Sequence, residues 1–228
     1  FIKLELKKNK FYGQWLGLLI ANAAMMGVVA LMYFEQGAPE EEHLLLSYTD
    51  AFFFIDTMVR ATFIIYASVL LAKLVIGEYK NKTISLMFTY PISRKKWMAS
   101  KLVIVFVWTF LAIMLSNFVI CSVLLLVNHF VGNIPGTLEF GALMNHGLRT
   151  MVNAVAAAGL SLIPLFFGMW KKSTSGTIIS AVLMVSLVNS STEGFSLYSY
   201  TAVPLTLAAI GIIMAYMSIR NLDKADLV

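Results

Sequence analysis

Apolar residues gather along this chain in long unbroken runs, at about 14–34, 51–76, 102–127, 150–169, 176–191 and 201–219, and polar residues fill the stretches between them. Such runs lack the period-two alternation of a half-buried strand, and most are too long for the buried strands of a parallel sheet. At about 1.5 Å of rise per residue, some 20 apolar residues cross a hydrocarbon core of roughly 30 Å as a helix. The pattern predicts six transmembrane helices in an all-α integral membrane protein. The spacers leave no room for an independent soluble domain, so residues 1–228 read as a single transmembrane domain.

Composition agrees, since 59% of the 228 residues are hydrophobic and 13% charged, against about 25% charged in a typical soluble domain. The net charge of +5 would in a soluble protein point toward nucleic acid; its distribution says otherwise. Fourteen of the 17 Lys and Arg residues lie in the opening segment, in 77–101, in 170–175 and in the tail, whereas the spacers 35–50, 128–148 and 192–200 contain none and hold seven of the 12 acids. Cytoplasmic loops accumulate Lys and Arg close to the spans, and even odds would sort the bases this cleanly roughly once in eight thousand trials. The alternation supports six spans and a multi-pass protein of a bacterial plasma membrane with both termini cytoplasmic. A lipid bilayer, not nucleic acid, is the expected partner of the apolar surface.

The other three bases are Arg60, Lys73 and Arg149. Lys73 lies close enough to the cytoplasmic end of the second run to reach the headgroups. Asp56 and Arg60 stand four apart in that run, so they share a helix face and can pair, which lowers the cost of carrying charge among apolar residues. Two readings stand open. The run 51–76 is longer than a bilayer requires, so its first turns can project into the outer interface and leave both charges wet. Alternatively, the pair faces a transport pathway or a subunit interface. Asn145, Arg149 and Asn153 recur every four residues, with His146 beside them, and form a polar stripe where the fourth run begins; it suits either an interface with water or a partner helix. Pro164 and Pro204 fall within runs and are expected to kink or offset them.

Enzymatic chemistry finds little support. There is no G-x-x-x-x-G-K-[ST] phosphate loop, and GMWKKST at 168–174 lacks its glycine spacing; the chain should not hydrolyse ATP itself. No H-E-x-x-H or G-x-S-x-G motif occurs, and Cys121 is the single cysteine, so neither a Cys-based metal site nor an internal disulfide is expected. The three histidines, His43, His129 and His146, lie in or beside outer spacers. No cofactor or metal is expected in this chain.

The opening FIKLELKKNKFYGQW sets Phe1, Leu4, Lys8, Phe11 and Trp15 at helical spacing. Residues 1–13 therefore read as an amphipathic helix in the cytoplasmic interface, serving as an anchor or as a lateral docking element. The loop 77–101, GEYKNKTISLMFTYPISRKKWMASK, mixes a basic cluster with Ile84, Leu86, Met87, Phe88 and Trp97, more apolar residues than a solvated loop needs. Ser93 after Pro91 suits the N-cap of a short helix whose Trp97 and Met98 point one way and Arg94, Lys95 and Lys96 largely another. Such a helix fits a groove on a cytosolic partner.

At this loop the sequence resembles the ABC-2 family of ATP-binding-cassette permeases. In that family a Glu near the end of the second span precedes a Gly/Asn-x-Thr segment, a Pro-Ile-Ser-Arg run and a Lys opening the third span. Glu78, Thr83, Pro91, Ile92, Ser93, Arg94 and Lys101 occupy those places here, and Lys82 stands where the family usually has Gly. The resemblance implies an exporter's transmembrane subunit, with Pro91 to Lys101, Trp97 included, as a coupling helix seated in the ATPase and residues 1–13 as the elbow helix. It further implies two cytosolic ABC ATPase subunits that bind ATP and Mg, and a second permease copy or a homologue. By the same likeness Asp56 and Arg60 lie near the pathway. The short outer spacers suit a hydrophobic or amphipathic cargo, with peptide export or self-protection against a peptide antibiotic as the favoured reading. Export of a lipid-linked glycan or drug is the alternative, and a secondary transporter a more distant one.

Overall fold

A computed structural model of the chain describes residues 12–35, 47–77, 94–132, 134, 140–171, 173–189, 191–192, 195–196 and 202–221. In order these form α1 (Tyr12–Glu35), α2 (Tyr48–Leu71), a π-helical turn (Ala72–Ile76) that continues α2, α3 (Arg94–Val131), α4 (Phe140–Leu160), α5 (Ile163–Lys171), α6 (Thr174–Asn189) and α7 (Ala202–Asn221). Between α6 and α7 the two-residue strands β1 (Ser191–Thr192) and β2 (Phe195–Ser196) pair antiparallel. The protein is an all-α membrane protein apart from this hairpin. Gly13–Phe34, Tyr48–Ile76, Trp97–Val131 and Leu143–Met169 are long and apolar enough to cross a membrane, and Thr174–Asn189 and Leu205–Ser218 are shorter apolar helices. Helices meet the first demand of hydrocarbon, since each satisfies its own backbone N–H and C=O groups.

α2 is the hub, packing on α1, α3, α4, α5 and α6. Its start is set by Ser47, whose Oγ accepts from the Asp50 backbone N–H at 3.3 Å and donates to Asp50 Oδ2 at 2.9 Å, an N-cap that satisfies one of the donors a helix leaves open. Along its length Phe52, Ile55, Val59, Phe63, Ile64, Ala67 and Leu71 are buried. α1 lies at the edge and leaves Trp15, Leu16, Leu19, Ile20, Leu31 and Phe34 exposed. Lipid tails solvate such side chains as well as a protein core does, so helices associate here through close packing and polar contacts rather than through the hydrophobic effect.

Three boundaries differ from the sequence reading. The short interfacial helix expected before the third span is continuous with it: α3 runs unbroken for 38 residues from Arg94. At about 1.5 Å per residue that exceeds any hydrocarbon core, so the helix projects beyond it. The fourth run, expected at 150–169, is two helices: α4 begins at Phe140 and stops at Leu160, and α5 follows after a turn at Ser161 and Leu162. Pro164 supplies the reason, because it has no N–H for the carbonyl of Leu160 and its ring crowds that group. Leu162 N–H bonds the Gly159 carbonyl at 3.1 Å instead, in a tighter turn. Pro204 falls in the first turn of α7, where a missing N–H costs nothing.

α4 and α7 approach to backbone contact. A Cβ added at Gly159 would lie 2.8 Å from Ala208 Cα and Cβ, and one at Gly211 would collide with the Gly159 carbonyl oxygen. Only glycine permits this crossing, the familiar use of small residues between membrane helices.

Candidate functional site

Among the described residues, buried charges occur at two centres in the apolar interior. The first is on α2. Arg60 Nη1 donates to Asp56 Oδ2 at 3.1 Å, and the two side chains are 2% and 6% exposed. Arg60 Nη2 also donates to Thr57 Oγ1 at 3.2 Å. From α4, Asn153 Nδ2 donates to the same Asp56 oxygen at 2.9 Å. The i, i+4 spacing lets the sequence pair these charges by itself, and α4 then closes the pair off from outside. This overturns the wet interfacial reading: the pair is sealed among helices, where each charge depends on the other for compensation. Asp56 Oδ1 is buried with no hydrogen-bond partner among the described residues.

Around this pair the α4 stripe turns inward in part. His146 stacks on Phe52 with ring centroids 4.6 Å apart, and its Nε2 lies 3.7 Å from Cys121 Sγ and 3.4 Å from Thr150 Oγ1. Asn145 and Arg149 are exposed. No group of three or more metal-ligating side chains occurs among the described residues.

The second centre lies where α2 ends and α3 begins. Lys101, at 0% exposure, donates from Nζ to the Leu74 carbonyl in the π turn at 2.6 Å. The ammonium also sits 3.8 Å from the centroid of the Trp97 ring, one turn earlier on α3. The π turn is packed from the far side too, since a Cβ on Gly168 of α5 would strike Ile76 Cδ1 and Thr177 Oγ1 of α6. Three helices, α3, α5 and α6, thus converge on residues 72–76 at the end of α2.

Of the residues expected to couple to an ATPase, Trp97 and Lys101 are brought together, Arg94 is the first residue of α3, and Glu78, Thr83, Pro91, Ile92 and Ser93 lie outside the described residues. The elbow segment 1–13 lies almost wholly outside them as well. Lys101 does not face outward from the loop; it is turned into the bundle. Sequence reasoning missed Leu74 and the π turn, for which no residue pattern gives a signal. It also missed Asn128, whose Oδ1 accepts from Tyr33 OH at 2.7 Å and the Ile134 N–H at 2.9 Å and whose Nδ2 donates to Tyr48 OH at 2.6 Å. An Asn directly at the end of an apolar run was the available clue.

Residues 1–189 match the family described as "ABC-2 family transporter protein". The chain belongs to the ABC-2 transporter family. It is also 45% identical over 225 residues to a Bacillus subtilis (strain 168) protein, "Uncharacterized protein YcbO", an alignment that covers 99% of this chain and 98% of that one. No solved structure matches. This ABC-2 permease is accordingly a multi-pass membrane subunit of an ABC transporter, and family membership implies association with ABC ATPase partners. The match spans both polar centres and ends at the last residue of α6.

Proposed function

We propose that this permease is the transmembrane subunit of an ATP-driven exporter that moves a hydrophobic or amphipathic cargo, in the first instance a peptide or antimicrobial peptide. Two ATPase subunits on the cytoplasmic side bind ATP and Mg, and a second permease copy or a homologue completes the pathway. Both termini are cytoplasmic, in keeping with the sorting of the bases, and the host membrane is a bacterial plasma membrane. The observation that carries the reading is the basic segment 78–101 entering directly into α3, in a family whose members work with separate ATPases. This reading assigns hydrolysis to those partners, in keeping with a sequence that carries no phosphate-loop motif. Work done there reaches the bundle through the ends of α2 and α3, and alternation between two arrangements of packed helices moves the cargo.

Co-purification with the partner ATPase tests the assignment. Arg94→Ala combined with Trp97→Ala is expected to weaken the complex or to uncouple hydrolysis, and undiminished coupling sinks the assignment. ATP hydrolysis by the reconstituted complex, measured with amphipathic peptides and with lipid-linked glycans, tests the cargo: stimulation by the peptides alone is expected, and stimulation by the glycans alone overturns the peptide reading.

A further inference from the structure

We propose that Lys101 is a positioning residue of the transport cycle: its ammonium clasps the π-helical end of α2 to the start of α3 and thereby fixes the two ends between which the chain passes to its ATPase-coupling residues. The proposal rests on the coupling role assigned above to 78–101. It departs from that role in one respect, since Lys101 acts inside the bundle and touches no partner.

A sealed ammonium is costly in apolar surroundings unless donors and charge are compensated. Here one of its donors goes to the Leu74 carbonyl and the cation lies over the Trp97 ring, contacts that tie α3 to the end of α2. In the π turn Gly77 N–H bonds the Ala72 carbonyl, five residues back, and Leu74, within the last turn of the described helix, offers its carbonyl to Lys101. On the opposite side Ile76 is pressed against Gly168 and Thr177. The turn is therefore held from two directions, by α3 on one side and by α5 and α6 on the other. Relaxation of a π turn to α geometry changes the register by one residue and rotates everything beyond it by about 100°. With Lys101 holding the π form, loss of the clasp would let the turn relax to α geometry at the end of α2, a discrete change of the kind that transmits a conformational switch.

The test uses the purified permease in detergent and its complex with the ATPase. Lys101→Met keeps the length of the arm and removes the donors, and Lys101→Arg keeps a donor. Hydrogen exchange at the amides of residues 72–77 is expected to quicken by about tenfold in Lys101→Met, equivalent to about 1.4 kcal/mol of lost protection. The ATPase still co-purifies, but permease-dependent hydrolysis falls by at least about fivefold, and Lys101→Arg restores most of both. Unchanged exchange overturns the clasp. Faster exchange with full coupling overturns the positioning role. If Lys101→Met does not fold, Lys101→Leu, which also lacks a donor, takes its place, and unchanged exchange or full coupling in it overturns the proposal in the same way. A wild-type chain that never binds an ATPase defeats the proposed function before any variant is made, so the two failures are distinguishable.

Discussion

Arg60 and Lys101 are both sealed within the bundle, but they are compensated by different means. Arg60 is met by a full negative charge on its own helix and by an amide network that reaches it through Asp56. Lys101 is met by a backbone dipole on one helix and a ring on its own. The difference lies in what remains when a partner is lost. Removing Asp56 strands a charge, whereas removing Lys101 takes a donor from the Leu74 carbonyl and a cation from the Trp97 ring. The ion pair is made within α2, whereas the carbonyl contact joins the end of α2 to α3. The α2–α4 centre suits a fixed part of the molecule, and the α2–α3 centre suits a part that moves.

The largest effect expected is from Asp56→Ala, which leaves Arg60 uncompensated and should cost about 3–5 kcal/mol. Thermal unfolding in detergent measures it. Asp56→Ala with Arg60→Ala should be less damaging than the single change, in stability and in transport alike, and equal losses in the two would remove the ionic half of the contrast. Next comes Asn153→Leu, which deletes the inter-helix bond to the carboxylate and should cost about 1.5 kcal/mol. If that variant matches wild type, the pair is held by α2 alone. Lys101→Met should destabilise the folded chain by only about 1 kcal/mol while harming coupling, so a loss as large as that of Asp56→Ala would show that the two cations are held alike. The smallest change is Trp97→Leu, which withdraws the ring from the ammonium for about 0.5–1 kcal/mol; a double-mutant cycle with Lys101→Met should return a coupling energy of that order.

These contrasts also mark where sequence stops informing structure. Long apolar runs revealed the membrane helices because hydrocarbon leaves a chain so few alternatives, and the charge alternation bore on orientation. The Asp56–Arg60 pair was legible because both partners sit on one helix. Its third member was not: Asn153 comes from 97 residues further along the chain, and a four-residue stripe fixes which residues share a face without saying what that face meets. Lys101 misled for a related reason. Among Arg94, Lys95 and Lys96 it reads as one more base of a cytoplasmic loop, yet α3 has already turned almost two full turns by then and carries it inward. The π turn depends on neighbours on three helices, so its own five residues, Ala-Lys-Leu-Val-Ile, could as well be α-helical. The break at Ser161 was anticipated only as a kink at Pro164.

That contact has a consequence for how the molecule divides into moving parts. Side chains that interdigitate can slip past one another by changing rotamer, but Gly159 and Gly211 meet backbone to backbone, and a backbone has no rotamer to change. α4 and α7 thus meet with no side chain between them to take up a shift, and a larger residue at either glycine has nowhere to go. The family match ends at residue 189, before α7 begins, yet a helix beyond that limit packs backbone to backbone on one within it.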